Sequence, residues 1–454
     1  MSEKSSKQGL QQWLKDHRIT EVEVLLPDMT GNARGKIIPA YRFFDDDRVR
    51  LPEAILLQTV TGDWPDDEVY DELMDARDID LYLRPDANTT CMVPWVAEPT
   101  VQIIHDAVDA AGNPHPLAPR NVLRGVLDQY HAEGLEPIVA PELEFYLVKK
   151  NTDADVPLQP PIGRSGRPER ARQSYSIDAV NEFDPLFEEM YDFCEAMDLD
   201  VDTLIHESGA AQMEVNFDHS DALSRADQVF LFKRMMREVA MRHDVYATFL
   251  AKPMENEPGS SMHVHQSMND IESGRNVFQA DGEHSISETM RHYIGGLQKY
   301  TADAMLFYAP NVNSYRRIAH GDGAPMNVHW GIDNRTAGLR VPISSPQATR
   351  VESRFAGSDA NPYLAFAASL ACGLLGIREK LEPTPPLEGS AYEEPGSLPA
   401  ALENSLSMLE GQTALHGLLG EDFIKAYVGI KRKEHETFFR VISSWEREYL
   451  LLTV

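Results

Sequence analysis

The sequence predicts an α+β protein of two domains, residues 1–115 and 116–454. Three observations lead there. The chain's 454 residues exceed what one ordinary core fills. A Pro- and Gly-rich joint, DAAGNPHPLAPR, interrupts it around residues 110–119. Strand-like and helical periodicities alternate after that joint, and a strand with turn signals precedes it.

Before the joint, QQWLKDHR reads as a short helix, VEVLL as an apolar strand and PDMTGNARGK as a polar turn. This punctuation suits a small strand-rich unit. After the joint, NVLRGVLDQYHAEGL places apolar residues at helical spacing and carries a stopping glycine near its end. Strand-like runs follow (EPIVAPELEFYLV, AQMEVNF, SMHVHQS, AGLRV, TRVESRF), together with the long helical run DALSRADQVFLFKRMMREVAMRH. Residues 149–174 read as a surface loop, and LEPTPPLEGSAYEEPGSLPA as a breaker-rich link between two C-terminal helices.

Composition narrows the class. With 42% hydrophobic and 25% charged residues, the chain reads as soluble and globular. It has no run of eighteen apolar residues, and MSEKSSKQGLQQWLKDH has no apolar signal core, so a cytoplasmic protein without membrane contact is expected. Cys91, Cys194 and Cys372 lie far apart, which predicts packed, reduced thiols rather than a disulfide framework or a thiolate zinc site. A formal charge of −30 argues against nucleic-acid binding. The same charge serves solubility and would attract a cationic substrate.

The chemistry lies in the strand alternation, because residues two apart share a face. In APELEFYLV, Glu142 and Glu144 oppose Leu143, Phe145 and Leu147. A solvated polar face accounts for one such strand. The pattern recurs with Gln212, Glu214 and Asn216, with His263 and His265, and with Arg350, Glu352 and Arg354. That concentration of Glu, His and Arg favours an interior site. Carboxylates with an imidazole suit Mg²⁺ or Mn²⁺, and arginines beside them suit polyphosphate or carboxylate ligands. Neither GxxxxGK[ST] nor a strand-borne GxGxxG occurs, so any nucleotide site has another architecture.

At these residues the sequence resembles the glutamine synthetase family. Seven segments appear in the family's order: DMTGNARGK (28–36), PELEF (141–145), HESGAAQME (206–214), GSSMHVHQS (259–267), NVNSYRR (311–317), NRTAGLRVP (334–342) and RVESRFAGSDANPYLA (350–365). The resemblance implies one metal held by Glu144, Glu207 and Glu214, and a second held by Glu142, His263 and Glu352. It further implies ATP contacts from His265, Ser267 and Arg340, glutamate contacts from Gly259, Arg317 and Arg354, and phosphoryl stabilisation by Arg335. The implied fold is a small β-grasp-like N-terminal domain and a large catalytic domain with a curved antiparallel sheet. The implied assembly is a dodecamer of two stacked hexameric rings, each site completed by a neighbour's N-terminal domain. The implied reaction uses ATP to phosphorylate the γ-carboxylate of glutamate, after which an amine displaces phosphate.

Two departures bear on the amine. Ammonia-using members carry a glutamate in a Gly-Tyr-Glu-Ala-Pro loop, whereas this chain reads Gly321-Asp322-Gly323-Ala324-Pro325. Their N-terminal Asp-Gly-Ser-Ser stretch has no clear counterpart in LLQTVTGDWPDD. The expectation is therefore a glutamate–amine ligase of amine or polyamine catabolism, resembling γ-glutamylputrescine synthetases, with Asp322, Asp63 or Asp66 as candidate acids for the amine. A glutamine synthetase using ammonia, with Gly323 as a turn residue, and a catalytically silent homologue are the alternatives. Gln347 replaces a lysine that many bacterial ammonia-using relatives have near the nucleotide, and Tyr392 reads as an ordinary loop residue.

Overall fold

The computed structural model describes residues 7–44, 49–169, 172–280, 282, 285–319 and 323–454. The α+β class holds, with one sheet on each side of the joint.

The first sheet has six strands: β1 (Glu21–Pro27), β2 (Ala33–Pro39), β3 (Arg50–Pro52), β4 (Asp80–Pro85), β5 (Cys91–Met92) and β6 (Thr100–Val108). Their order is β2-β1-β6-β4-β3, with β5 paired to β6. β1 and β6 run parallel at the centre, and the other pairs are antiparallel. The stretch read as a polar turn is only partly one. Asp28 accepts from the amides of Thr30 and Asn32, Gly31 takes φ +83°, and the chain leaves as β2, an exposed edge strand. β6 is buried along its whole length, so it shows no alternation to betray it.

The second sheet has nine strands: β7 (Leu135–Lys149), β8 (Val201–His206), β9 (Gln212–Phe217), β10 (Ser220–Asp221), β11 (Val245–Thr248), β12 (Met262–Asp270), β13 (Trp330–Ile332), β14 (Leu339–Val341) and β15 (Val351–Ser353). The order is β13-β14-β15-β12-β7-β9-β8, and β10 and β11 also pair with β7. Among the described residues, only the β13–β14 pair of this sheet is parallel. Leu143, Phe145 and Leu147 are fully buried on one face of β7, where the Phe145 ring meets that of Phe232, from the helix Ala222–Arg242, edge-on at 6.3 Å between centroids. Each such side chain stabilises the layer by about 1.5–3 kcal/mol. The helix Pro362–Glu379 is buried almost all round and crosses Glu288–Tyr300 at close range. A Cβ on Gly296 would lie 2.2 Å from the Cys372 carbonyl oxygen, and one on Gly376 2.2 Å from that of His292, so both positions need glycine for backbone contact.

Arg120 links the two sheets' layers from the start of the helix Pro119–Ala132. Its buried guanidinium reaches Asp106 (2.5 Å), Asp86 (2.7 Å) and both oxygens of Asp227 (2.9 and 2.7 Å). Tyr363 donates to the same Asp227.

His105 on β6 is fully buried, with Nδ1 2.9 Å from the Ile103 carbonyl oxygen, and burial pushes its imidazole down to about 4. The unfolded chain, titrating near 6.5, binds this proton first, so the stability contribution is complete above pH 6.5 and drains away as pH falls towards 4. From pH 7.5 to 5 the loss amounts to about 2 kcal/mol. Calorimetry of His105→Gln should show a shallower fall in Tm over that interval. An unchanged slope in the folded variant would assign the acid sensitivity elsewhere.

Candidate active site

Strand register assembles the site. Across β7–β12 Glu142 lies opposite His263, and across β7–β9 Glu144 lies opposite Glu214. Across β12–β15 His265 lies opposite Glu352, which also faces Arg340 across β14–β15. Directly opposed residues stand about 4.5–5.5 Å apart, so five strands bring their polar residues to one face. Glu207, outside any strand, joins from the turn between β8 and β9, its amide donating to the Gln212 carbonyl (2.8 Å). Ligand atoms of Glu144, Glu207 and Glu214 all lie within 4.8 Å of one another. The same spacing holds for Glu142, Glu214 and His263, and for Glu142, His265 and Glu352. His263 also joins Glu142 to Glu352, its Nδ1 lying 3.3 Å from one and 3.5 Å from the other.

The electrostatics divide the cluster. Burial, then the charge of Glu207, lifts the Glu144 carboxyl to about 7, although Ser261 donates to both its oxygens (2.8 and 2.6 Å). Burial and the surrounding carboxylates raise Glu214 well above its ordinary range, and burial followed by Glu142 raises Glu207. Burial works the same way on Glu352 and Glu142 but is overruled. His263 and Arg354 hold Glu352 at about 2, and hydrogen bonds from His263 and His265 pull Glu142 well below the usual carboxylate range.

The donor set fits hard divalent cations. Ser261 Oγ donates to Glu144 and so accepts from His263 Nε2 (3.0 Å). That leaves Nδ1 directed between Glu142 and Glu352, carrying a proton in the cation-free site and offering its lone pair to a cation that displaces the proton. Carboxylates this close are satisfied by a cation between them, and oxygen-rich ligation with one imidazole suits the magnesium and manganese class. His265 is oriented differently. Arg350 Nε donates to its Nδ1 (3.1 Å), leaving Nε2–H for Glu142 Oε1 (2.8 Å).

Basic residues frame the cluster. Arg340 and Arg354 donate to the two oxygens of Glu352 (2.9 and 2.6 Å), and Arg340 also meets Asp333 (2.5 Å). Arg317 is buried, its pKa lowered to about 10 by desolvation, and donates to the carbonyls of Phe355 and Arg354. Gly259 packs beneath it, where a Cβ would come within 2.6 Å of Arg317 Cγ and 2.7 Å of the Ala251 carbonyl oxygen. Beside Glu142 opens a cleft of about 540 Å³, lined by His265, Ser267, Arg350, Gln347, Phe217 and His219.

Other expected residues stand apart. Arg335 is exposed on the loop between β13 and β14, lining a separate cleft with Thr336 and residues 386–390. Among the described residues, no hydrogen bond or ion pair joins Arg335 to the cluster. Asp322 lies outside the described residues. Gly323 takes φ +87°, and among the described residues a Cβ there would meet nothing within 4 Å. Asp66 is ion-paired with Lys433 of the helix Glu421–Phe439 (2.9 Å). Ser261 was missed, although Ser261, His263, His265 and Ser267 alternate along one strand face. Glu169 and Glu257, which hold the turn bearing Glu207, sit in loops without periodicity and left no signal.

Residues 116–450 match the catalytic domain of glutamine synthetase. The chain is 33% identical to γ-glutamylputrescine synthetase PuuA of Escherichia coli K12, covering 98% of this chain and 94% of that one. It is equally 33% identical to a glutamine synthetase of Pyrococcus abyssi, covering 93% and 92%. Among solved structures, a GmaS/ADP complex superposes with a TM-score of 0.83 at 29% identity, over 97% of this chain and 99% of the other. The chain belongs to the glutamine synthetase family. Its catalytic domain and its likeness to a nucleotide-bound structure make it an ATP-dependent ligase.

Proposed function

We propose that this ligase joins the γ-carboxylate of glutamate to a primary amine or polyamine through γ-glutamyl phosphate, releasing ADP and phosphate. The observation that supports it most is the single sheet face on which six metal-type donors converge beside Arg317, Arg340 and Arg354. In this reading Glu144, Glu207 and Glu214 hold one Mg²⁺ or Mn²⁺, and Glu142, His263 and Glu352 a second. When bound, the cations neutralise phosphate oxygens and favour phosphoryl transfer. His265 and Ser267 line the cleft that would take ATP, and Arg340, bonded to Glu352, would meet its phosphates. Arg317 and Arg354 pair with the glutamate carboxylates, and Gly259 lets the Arg317 side chain pack close against the backbone. Arg335 would reach the transferring group only after its loop moves inward, and Asp322 is the proposed acid for the amine.

The amine reading rests on Gly323, in place of a glutamate, and on the space the described residues leave beside it. An alkylamine with a lysine-like pKa is almost wholly protonated at pH 7, and freeing it costs about 4–5 kcal/mol. A neighbouring acid therefore has work to do. Likeness to γ-glutamylputrescine synthetase supports a diamine or polyamine. Ammonia remains the second reading, favoured by the left-handed backbone at Gly323, which asks for glycine on conformational grounds alone. Coupled-enzyme measurement of ADP release with glutamate, across ammonia, monoamines, diamines and polyamines, decides between them. No release with any amine would leave a silent homologue.

The proposed assembly is a dodecamer of two stacked hexameric rings, with the boundary between N-terminal and catalytic domains at residue 115. An apolar stretch at the C-terminus supports association. Phe439, Val441, Ile442, Trp445, Leu451 and Leu452 are each more than half exposed, apolar side chains that association would cover. Sedimentation at assay concentration should show the large ring species, and deletion of residues 440–454 should shift it to smaller ones. A fully active monomer would overturn the shared-site reading.

A further inference from the structure

The turn that presents Glu207 is held from outside the metal-type cluster. Locally the turn closes on itself: Glu207 and Gln212 are tied by the bonds Glu207 N–H to the Gln212 carbonyl (2.8 Å) and Gln212 N–H to the Gly209 carbonyl (3.1 Å), the amide of Ser208 donates to the Glu207 carboxylate (3.1 Å) and that of Gly209 to Gln212 Oε1 (2.9 Å). The next two amides go to remote carboxylates, Ala210 to Glu257 (3.1 Å) and Ala211 to Glu169 (3.0 Å). The backbone here is demanding. Ala211 takes φ +57°, and a Cβ on Gly209 would fall 1.9 Å from Tyr146 Oη. Such a conformation persists only where the surroundings over-determine it.

Glu169 grips this turn at both ends. Besides the Ala211 amide, its Oε2 lies 3.1 Å from Nε2 of His206, a fully buried ring whose Nδ1 lies 2.7 Å from the Glu207 carbonyl oxygen. The Glu169 side chain is only 9% exposed, in a connection between β7 and β8 that contributes no strand. Burying a carboxylate in such a loop is costly unless it organises partners.

We propose that Glu169, acting through His206 and the Ala211 amide, is the positioning residue that fixes Glu207 for divalent-metal binding. This rests on reading Glu144, Glu207 and Glu214 as metal ligands. Loss of such an outer partner typically weakens metal binding about 10–100-fold.

The test uses the full chain and Mn²⁺ alone, without nucleotide, with free Mn²⁺ followed by electron paramagnetic resonance. The variants are Glu169→Ala, Glu169→Gln and His206→Gln, with Glu207→Gln as reference, each checked for folding by circular dichroism. The expected result is that Glu207→Gln loses one of two sites. Glu169→Ala and His206→Gln should weaken that same site at least tenfold and leave the other unchanged, and Glu169→Gln, which keeps an acceptor for Ala211, should recover part of the loss. Should Glu169→Ala fail to fold, Glu169→Gln and His206→Gln carry the comparison. Wild-type affinity at both sites in the folded Glu169 and His206 variants, with one site lost in Glu207→Gln, would overturn the positioning role alone. Wild-type binding in Glu207→Gln would remove the metal assignment, and this inference with it.

Discussion

Glu214→Gln is expected to lower metal-dependent turnover by on the order of 10³-fold, about 4 kcal/mol of transition-state stabilisation, while raising Tm in metal-free buffer. Glu214 is the natural target because it belongs to two of the three donor groups, with Glu144 and Glu207 on one side and with Glu142 and His263 on the other. Its carboxylate is buried opposite Glu144 in the β7–β9 register. Without a cation, burial and the surrounding carboxylates make Glu214 take up a proton on folding, which costs stability near neutral pH, and an amide of the same shape avoids that cost. With a cation the sign reverses, because the amide is a weaker, neutral ligand. ADP release and calorimetry, each with EDTA and with a Mg²⁺ titration, read both effects. The wild-type protein should gain more Tm from Mg²⁺ than the variant, and EDTA should stop its turnover. A folded Glu214→Gln protein within tenfold of wild-type turnover, or wild-type ADP release in EDTA, would sink the metal reading.

The parts of this site that were legible share one cause. Period-two alternation exposed Glu142, Glu144, Glu214, His263, His265 and Glu352, because each sits on a strand whose other face is apolar and buried. Register then joined them, and register cannot be read from single strands. Glu207 was reached only through the HESGAAQME resemblance, since it lies on a turn held by hydrogen bonds to residues remote in sequence. β6 escaped because a strand buried on both faces has no alternation. β2 was taken for turn because its polar, exposed edge looks like loop when its pairing with β1 is unknown. Arginine roles were the least legible. Arg340 and Arg354 both clasp Glu352 in this structure, whereas the resemblance sends them to different ligands.

Catalytic efficiency is expected to be at least tenfold higher with some primary amine than with ammonia, a difference of about 1.4 kcal/mol. Ammonia-using relatives place a glutamate where this chain has Gly323, and no atom of the described residues lies within 4 Å of a Cβ position there; on the proposed amine reading, ammonium then lacks a charged partner and a larger amine has volume to fill. A diamine gains twice over: its distal ammonium can pair with an acid at the mouth while the near nitrogen reacts as free base. Gly323→Glu should narrow the preference by restoring a carboxylate, but φ +87° makes any side chain there strained. Gly323→Ala is therefore the necessary control, since it introduces the strain without the charge. If the pocket reading holds, alanine lowers kcat/KM for ammonia and amine alike, and glutamate then raises ammonia relative to the amine. Were alanine and glutamate to act identically on every substrate, Gly323 would be a turn residue only. Were ammonia the best substrate of the wild-type protein, the chain would be a glutamine synthetase in activity as well as in family.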